Sequence, residues 1–311
     1  MSIERPTALR GARRHTIGQI GAMAVSRLPA PPAVSRLPAP PAVSRLPAPP
    51  AVFSRYVALG DSFTEGIGDP HPACPNGLRG WADRVAEVLG QHNPDMRYAN
   101  LAVRGRTMDE ILVEQIQTAV MLEPDIVTIY AGMNDLLMVH NNIDTMMARY
   151  ADALKTLQQT GAVVLTFTAA DLGTVPLFRR LRGRAAIYNE LLRTVVDDLG
   201  LQLVDFWRYA EFRDPRLWDS DRIHLSQLGH ERMAAKVLDT LTVPHSLTSR
   251  SAALLASTPP VRSWWQNLRW ATAFAAPWVA RRLRRVTPGA GIEPKLPALT
   301  EVLQPARQLR R

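Results

Sequence analysis

The chain has 311 residues, 46% hydrophobic and 21% charged, a balance that fits a globular protein and excludes a wholly disordered or collagen-like one. Its one cysteine, Cys74, excludes an intrachain disulfide and a cysteine-based zinc cluster. The net charge of +9 is unevenly placed: residues 1–55 hold 8 Lys+Arg and 1 Asp+Glu, residues 56–246 hold 18 and 25, and residues 247–311 hold 11 and 2. The middle is acidic and both ends are basic, so no nucleic-acid partner is expected despite the high overall charge.

The N-terminal stretch opens with Arg5, Arg10, Arg13 and Arg14, but no apolar run follows of the kind a secretory signal needs. The nine residues AVSRLPAPP then stand three times in tandem, at 24–32, 33–41 and 42–50. Proline at that density cannot supply ladder or helix hydrogen bonds, so residues 1–52 read as an extended, solvated spacer. No segment is long and apolar enough for a membrane span; Ala271–Ala280 is short and holds Pro277. A cytoplasmic location is the default expectation.

From Tyr56 onward strands and helices alternate. YVALG (56–60) is a short apolar run that ends in Gly, as a buried strand does. Trp81, Val85, Val88 and Leu89 have helical spacing. MRYANLAV (96–103) is the second strand, and residues 108–121 are helical up to Pro124. DIVTIYAG (125–132) is the third strand, followed by a helix over 143–159 that Gly161 ends. AVVLTFT (162–168), a helix over 184–199, LQLVDF (201–206) and a helix over 227–241 complete the series before Pro244. Near-continuous apolar strands between helices predict a parallel sheet covered on both faces. Five of them predict a doubly wound α/β domain in flavodoxin-like order over residues 53–245, with its site at the carboxyl ends of the strands.

Four short blocks follow those strand ends: GDSFTEG (60–66), RGRT (104–107), GMND (132–135) and, before the last helix, DRIH (221–224). Together they hold the parts of an acyl-transfer site. Ser62 is a candidate nucleophile, which needs an adjacent base; His224 can be that base, and Asp221 can orient it. The backbone N–H groups of Ser62 and Gly105 and the side-chain amide of Asn134 are candidate donors to an oxyanion. Asp219 competes with Asp221 for the acid, and the three-residue spacing to His224 favours Asp221. Asp61, Asn100, Arg106 and Asp135 flank these blocks and are candidate pocket residues.

The same blocks resemble those of the SGNH (GDSL-type) serine hydrolases, with the four signature residues falling on Ser62, Gly105, Asn134 and His224 in order. YVALGDSFTEGIGD, NGLRGWADRVA, NLAVRGRT and DRIHLSQLGH are similar to the actinobacterial branch. Phe63 stands where the family name has Leu. The resemblance spans roughly 190 residues. It implies a three-layer α/β/α sandwich and hydrolysis of esters or thioesters with no metal and no cofactor, and it carries the acid partner onto Asp221. No G-x-S-x-G elbow surrounds Ser62, which separates the chain from α/β-hydrolases.

The remaining features admit less. His71 and Cys74 lie among prolines and do not make a metal site. His230, one helical turn into the last helix, reads as structural. The loop 169–184 could cover the site, with Leu177 and Phe178 toward an acyl chain and Arg179, Arg180, Arg182 and Arg184 either toward an anionic head group or on a solvated helix face. A lysophospholipid and a short acyl ester of a sugar are both allowed. Residues 246–311 read as a basic, partly helical extension in which Trp264, Trp265, Trp270, Trp278 and Arg281, Arg282, Arg284 and Arg285 pack on the domain or make weak contact with a membrane surface. Beside the esterase stand two alternatives, a scaffold that uses the fold through its tails and a peripheral membrane lipase. The oligomeric state is left open.

Overall fold

In the computed structural model, successive side chains of β1 (Arg55–Gly60) point to opposite faces of a central sheet. Tyr56 and Ala58 enter one apolar cluster, and Val57 and Leu59 enter the other. The structure describes residues 52–138, 140–174, 178–247, 264–275, 289 and 291–302. The AVSRLPAPP repeats, Leu177, Trp278 and the arginines at 281, 282, 284 and 285 lie outside them.

β2 (Arg97–Asn100), β3 (Ile126–Tyr130), β4 (Val163–Phe167) and β5 (Gln202–Val204) complete a parallel set with the order β5-β4-β3-β1-β2. This is the expected flavodoxin-like order. β3 is buried at every position, as its β-branched run requires. α2 (Trp81–His92) and α7 (Gln227–Thr240) cover one face through Trp81, Val85, Met233 and Val237. α3 (Met108–Met121), α5 (Ile143–Gln158) and α6 (Arg182–Leu199) cover the other through Ile111, Tyr150, Leu154 and Leu192. The result is the three-layer α/β/α sandwich.

Helix ends are set locally. Thr107 and Glu110 form a reciprocal capping box at the start of α3, with Glu110 accepting from the Thr107 N–H at 2.7 Å. Ser226 caps α7 by accepting from the Gly229 N–H at 3.2 Å. That cap lies two residues after His224 and fixes where the preceding loop joins the helix.

Two expectations need correction. The sheet has six strands rather than five, because β6 (Leu296–Glu301) pairs antiparallel with β2. The segment after residue 245 is therefore part of the fold and not only an extension. Lys295, just before this strand, is buried and donates from Nζ to the Glu65 carbonyl at 2.7 Å and to Asp83 Oδ2 at 2.6 Å. Pro297 is tolerated because β6 is an edge strand, where one missing N–H breaks no ladder on the outer side. Among the described residues, no helix is long and apolar enough to cross a membrane.

Candidate active site

β1 ends at Gly60, whose φ of 148° favours glycine, and a Cβ there would stand 2.8 Å from the Tyr130 carbonyl oxygen. The chain turns at once into α1 (Ser62–Glu65), with the Asp61 carboxylate accepting from the Phe63 N–H at 3.0 Å. This places Ser62 at the carboxyl edge of the sheet. His224 arrives on the loop between Trp218 and Leu225, which pair across its base. Ser62 Oγ lies 2.9 Å from His224 Nε2, and His224 Nδ1 lies 2.6 Å from Asp221 Oδ2. Asp221 Oδ1 accepts the N–H groups of Ile223 at 2.9 Å and His224 at 3.0 Å. Asp219 bonds instead through its backbone, its N–H donating to the His224 carbonyl at 2.9 Å.

The polarity of this chain follows from the acid. Burial opposes the charge of Asp221, but the hydrogen bonds from the His224 ring and from two backbone N–H groups outweigh it and hold the carboxyl below its ordinary value. An ionised carboxylate only accepts, so His224 Nδ1 carries the proton. Nε2 is then left with a lone pair toward the Ser62 hydroxyl, which donates to it. The arrangement can take a proton from Ser62.

Gly105 follows β2 in a left-handed conformation with φ 79°. Among the described residues, the backbone N–H groups of Ser62 and Gly105 have no backbone acceptor, and both residues line the cleft beside Ser62 Oγ. Asn134 sits in α4 (Met133–Leu136), after the tight turn at Gly132. Its Nδ2 donates to Asp61 Oδ2 at 3.0 Å and to the Arg106 carbonyl at 3.0 Å. Burial raises the Asp61 carboxyl from its ordinary 3.8 to about 7. Asn134 is thus held in place by a group that gains a proton near neutrality.

Of the flanking candidates, Asp61 lines the cleft and the other three do not. Asn100 is fully buried, donating to the Thr64 carbonyl at 3.0 Å and accepting from the Ala102 N–H at 3.1 Å, so it braces the turn beneath Ser62. Asp135 accepts from the Met108 N–H at 2.7 Å and anchors the start of α3. The Arg106 side chain lies along α3 toward Glu114 at 2.9 Å, and only its carbonyl touches the site, through Asn134. His230 is buried, accepting from the Trp81 N–H at 3.1 Å and bonding the Ile67 carbonyl at 2.9 Å; burial pushes it down to about 3, so it is neutral and structural. Cys74 Sγ stands 3.4 Å from His71 Nδ1, and burial raises its thiol, the opposite of an activated one.

The cleft around Ser62 encloses about 440 Å³. Its walls are largely apolar: Phe63, Tyr130, Met133, Leu137, Phe178 and Phe206 among them. Phe178 reaches it as the sequence suggests. The arginines of that loop do not line it: Arg182 pairs with Asp171 at 2.6 Å, and Arg184 donates to the Asn141 carbonyl at 2.7 Å. Two basic residues that do line it are Arg104, bonded to the buried Glu65, and Arg222. Sequence reading passed over both, and over Phe274, which lines the cleft from beyond the expected domain end. Trp270 of α8 (Trp264–Trp270) packs against the site loop, while Trp264 and Trp265 are exposed.

Comparison with known proteins places this architecture. The family model of the GDSL-like lipase/acylhydrolase family matches residues 58–232, more than half of the chain. No curated protein matches it in sequence. Among solved structures it is similar to LAE5, an alpha/beta hydrolase enzyme from the metagenome of Lake Arreo, Spain, with 24% identity over 64% of this chain and 100% of that one, at a TM-score of 0.53. It is also similar to Axe2, an acetylxylan esterase from Geobacillus stearothermophilus, with 18% identity over 61% and 95% of the two chains and a TM-score of 0.51. TesA matches at 20% identity over 60% and 98%, with a TM-score of 0.50. These likenesses carry the fold, and the family match carries the class: the chain belongs to the GDSL-like lipase/acylhydrolase family and is a carboxylic ester hydrolase of SGNH type.

Proposed function

We propose that the protein hydrolyses carboxylic esters through an acyl-enzyme on Ser62, and that its acyl site favours an apolar chain over an acetyl group. The observation that carries this reading is the hydrogen-bonded sequence Ser62–His224–Asp221 opening into an aromatic and aliphatic cleft of about 440 Å³. That volume falls in the ordinary range for small-molecule sites, roughly 300–1,000 Å³.

Ser62 Oγ attacks the ester carbonyl carbon while its proton passes to His224 Nε2. The imidazolium that forms is held by the Asp221 carboxylate. Charge develops on the carbonyl oxygen, toward the N–H groups of Ser62 and Gly105 and the amide of Asn134. Collapse of the tetrahedral species breaks the ester C–O bond, and the alcohol leaves with the proton from His224. Water then attacks the acyl-enzyme, giving its proton to His224, and the carboxylic acid departs as Ser62 is reprotonated. Every proton in this cycle is moved by side chains of the chain itself.

The cleft walls support the substrate preference. Burying each methylene of an acyl chain against Phe63, Phe178 and Phe206 contributes about 0.8 kcal/mol, so several carbons are worth a large selectivity over acetate. An anionic head group has weaker support, because the loop arginines do not line the cleft and Arg182 and Arg184 are engaged elsewhere. A p-nitrophenyl ester series from acetate to palmitate, run on wild type and Ser62→Ala, tests both parts. Ser62-dependent turnover with kcat/KM rising from acetate to a medium chain is expected. A maximum at acetate contradicts the preference, and equal rates for Ser62→Ala contradict the mechanism.

A further inference from the structure

The loop that carries the acid and the base is held from outside the hydrolase motif. Trp270 of α8 lies 49 residues after Asp221, and its indole Nε1–H donates to the Asp221 carbonyl oxygen at 2.8 Å. The guanidinium carbon of the next residue, Arg222, sits 4.7 Å from the centroid of the same indole ring. One side chain thereby engages two consecutive residues, by a hydrogen bond and by a cation–π contact.

The loop needs such a partner. Arg222 has a φ of 62°, a left-handed conformation that a residue with a Cβ takes at a cost and keeps only where its surroundings enforce it. Its side chain is nonetheless buried, at 8% exposure, against Trp270. The peptide between Asp221 and Arg222 is the one whose carbonyl Trp270 fixes. The Asp221 side chain is tied in turn to the N–H groups of Ile223 and His224 and to the imidazole itself. A rotation of that peptide would move the carboxylate and, with it, the ring whose Nε2 must stay 2.9 Å from Ser62 Oγ.

Backbone contacts close the base of the loop. Trp218 pairs with Leu225, Asp219 bonds the His224 carbonyl, and Ser226 bonds Leu217. Trp270 adds a contact at the tip, on Asp221 and Arg222 themselves. The same segment continues to Phe274, which lines the cleft that holds Ser62. The segment 264–275 thus meets the site at two points. Its outer positions Trp264, Trp265 and Leu268 are exposed, so burying every aromatic residue does not explain the docking.

We propose that α8 is a positioning element of the active site, in which Trp270 fixes the Asp221–Arg222 peptide and so keeps the Asp221–His224 pair in line with Ser62. Trp270 touches no reacting atom. It acts through Asp221, and its removal lowers the rate of the chemical step rather than the affinity for ester. The inference rests on the reading of Ser62, His224 and Asp221 as the catalytic set.

A double-mutant cycle on the full chain tests it, with Trp270→Phe, Asp221→Ala and the pair. Phenylalanine keeps a smaller aromatic face for Arg222 and cannot donate to the Asp221 carbonyl. Active sites are counted with a fluorophosphonate, so that unfolded molecules lower the count and not the rate per site. With the wild-type acid in place, Trp270→Phe is expected to lower kcat per site about tenfold, with KM within about twofold, as loss of one well-placed hydrogen bond allows. In the Asp221→Ala background the same change is expected to cost less than about twofold, because the carboxylate through which it reaches His224 is gone. Equal losses in both backgrounds, or a loss confined to KM, overturn the proposal. Should Trp270→Phe give no countable sites, Trp270→Leu takes its place in the cycle: leucine fills part of the indole's volume and also lacks the N–H, and the same two outcomes decide. Ser62→Ala is run alongside: if it keeps full activity the catalytic reading fails, whereas a dead Ser62→Ala beside an unaltered Trp270→Phe sinks only the role of α8.

Discussion

Replacing Asp221 by asparagine should damage the enzyme more subtly and more severely than its near-identity of shape suggests. Asp221 Oδ1 accepts two backbone N–H groups, from Ile223 and His224, and Oδ2 accepts one ring N–H, from His224 Nδ1. An asparagine has one accepting oxygen and one NH2 group for these two positions. With the oxygen at the Oδ1 position it keeps two hydrogen bonds; with the oxygen at Oδ2 it keeps one and faces two N–H donors with its own NH2. At about 1 kcal/mol for each bond made, and more for each donor left facing a donor, the first orientation wins by several kcal/mol. The NH2 group then points at His224 Nδ1, which must accept, and the ring proton moves to Nε2. That tautomer has no lone pair for Ser62. In a Ser-His-Asp triad on an unrelated fold the wrong tautomer lowers kcat about 10⁴-fold, or about 5.5 kcal/mol of barrier. Asp221→Ala leaves the ring free to choose its tautomer, so Asp221→Asn is expected to be at least as impaired as Asp221→Ala at neutral pH. The assay is kcat on a p-nitrophenyl ester for both variants, with folding checked by near-ultraviolet circular dichroism. A folded Asp221→Asn within tenfold of wild type refutes the argument, and with it the assignment of the acid.

Two further outcomes are expected. Lys295→Met leaves Asp83 without its buried partner and removes the bond to the Glu65 carbonyl, a change of the kind that costs about 3–5 kcal/mol; thermal denaturation should show Tm lower by roughly 10 °C, and a shift under about 2 °C would mean that β6 is not integral to the fold. Asp61 is raised by burial from 3.8 to about 7, so on its account stability is full below pH 3.8 and declines as pH rises through about 7, by about 4 kcal/mol once it is ionised. Asp61→Asn should remove that component, and the difference in unfolding free energy between variant and wild type should grow in the variant's favour from pH 4 to pH 8; a difference independent of pH contradicts the assignment.

The parallel part of the fold is legible because each strand is an apolar run buried on both faces, bounded by Gly, Pro or a helix cap. β6 is not legible for the opposite reasons. LPALTE lies at the sheet edge with half its face in solvent, carries a proline, and follows a stretch whose charge reads as a solvated tail. The buried residue beside it is Lys295, a residue type that sequence patterns place outside. The candidate set of Ser62, Gly105, Asn134, Asp221 and His224 is legible because its members stand after strands or ahead of the last helix, where a parallel sheet presents its site. Adjacency to those blocks was a weaker guide. Asn100, Asp135 and the Arg106 side chain sit beside signature residues in sequence, yet each turns to brace a neighbouring element. Trp270 is legible only as a residue that packs on the domain or meets a membrane surface, and Phe274 not at all, since what they do depends on a contact across about fifty residues of chain.

The central claim is that Ser62 is the nucleophile, activated by His224. The most direct measurement is the mass of the intact protein, and of its peptides, after reaction with a fluorophosphonate. One adduct per chain is expected, on Ser62, formed with loss of fluoride, with a labelling rate that collapses in His224→Ala while that variant stays folded. Labelling at another residue, or an unchanged rate on Ser62 without His224, would contradict it.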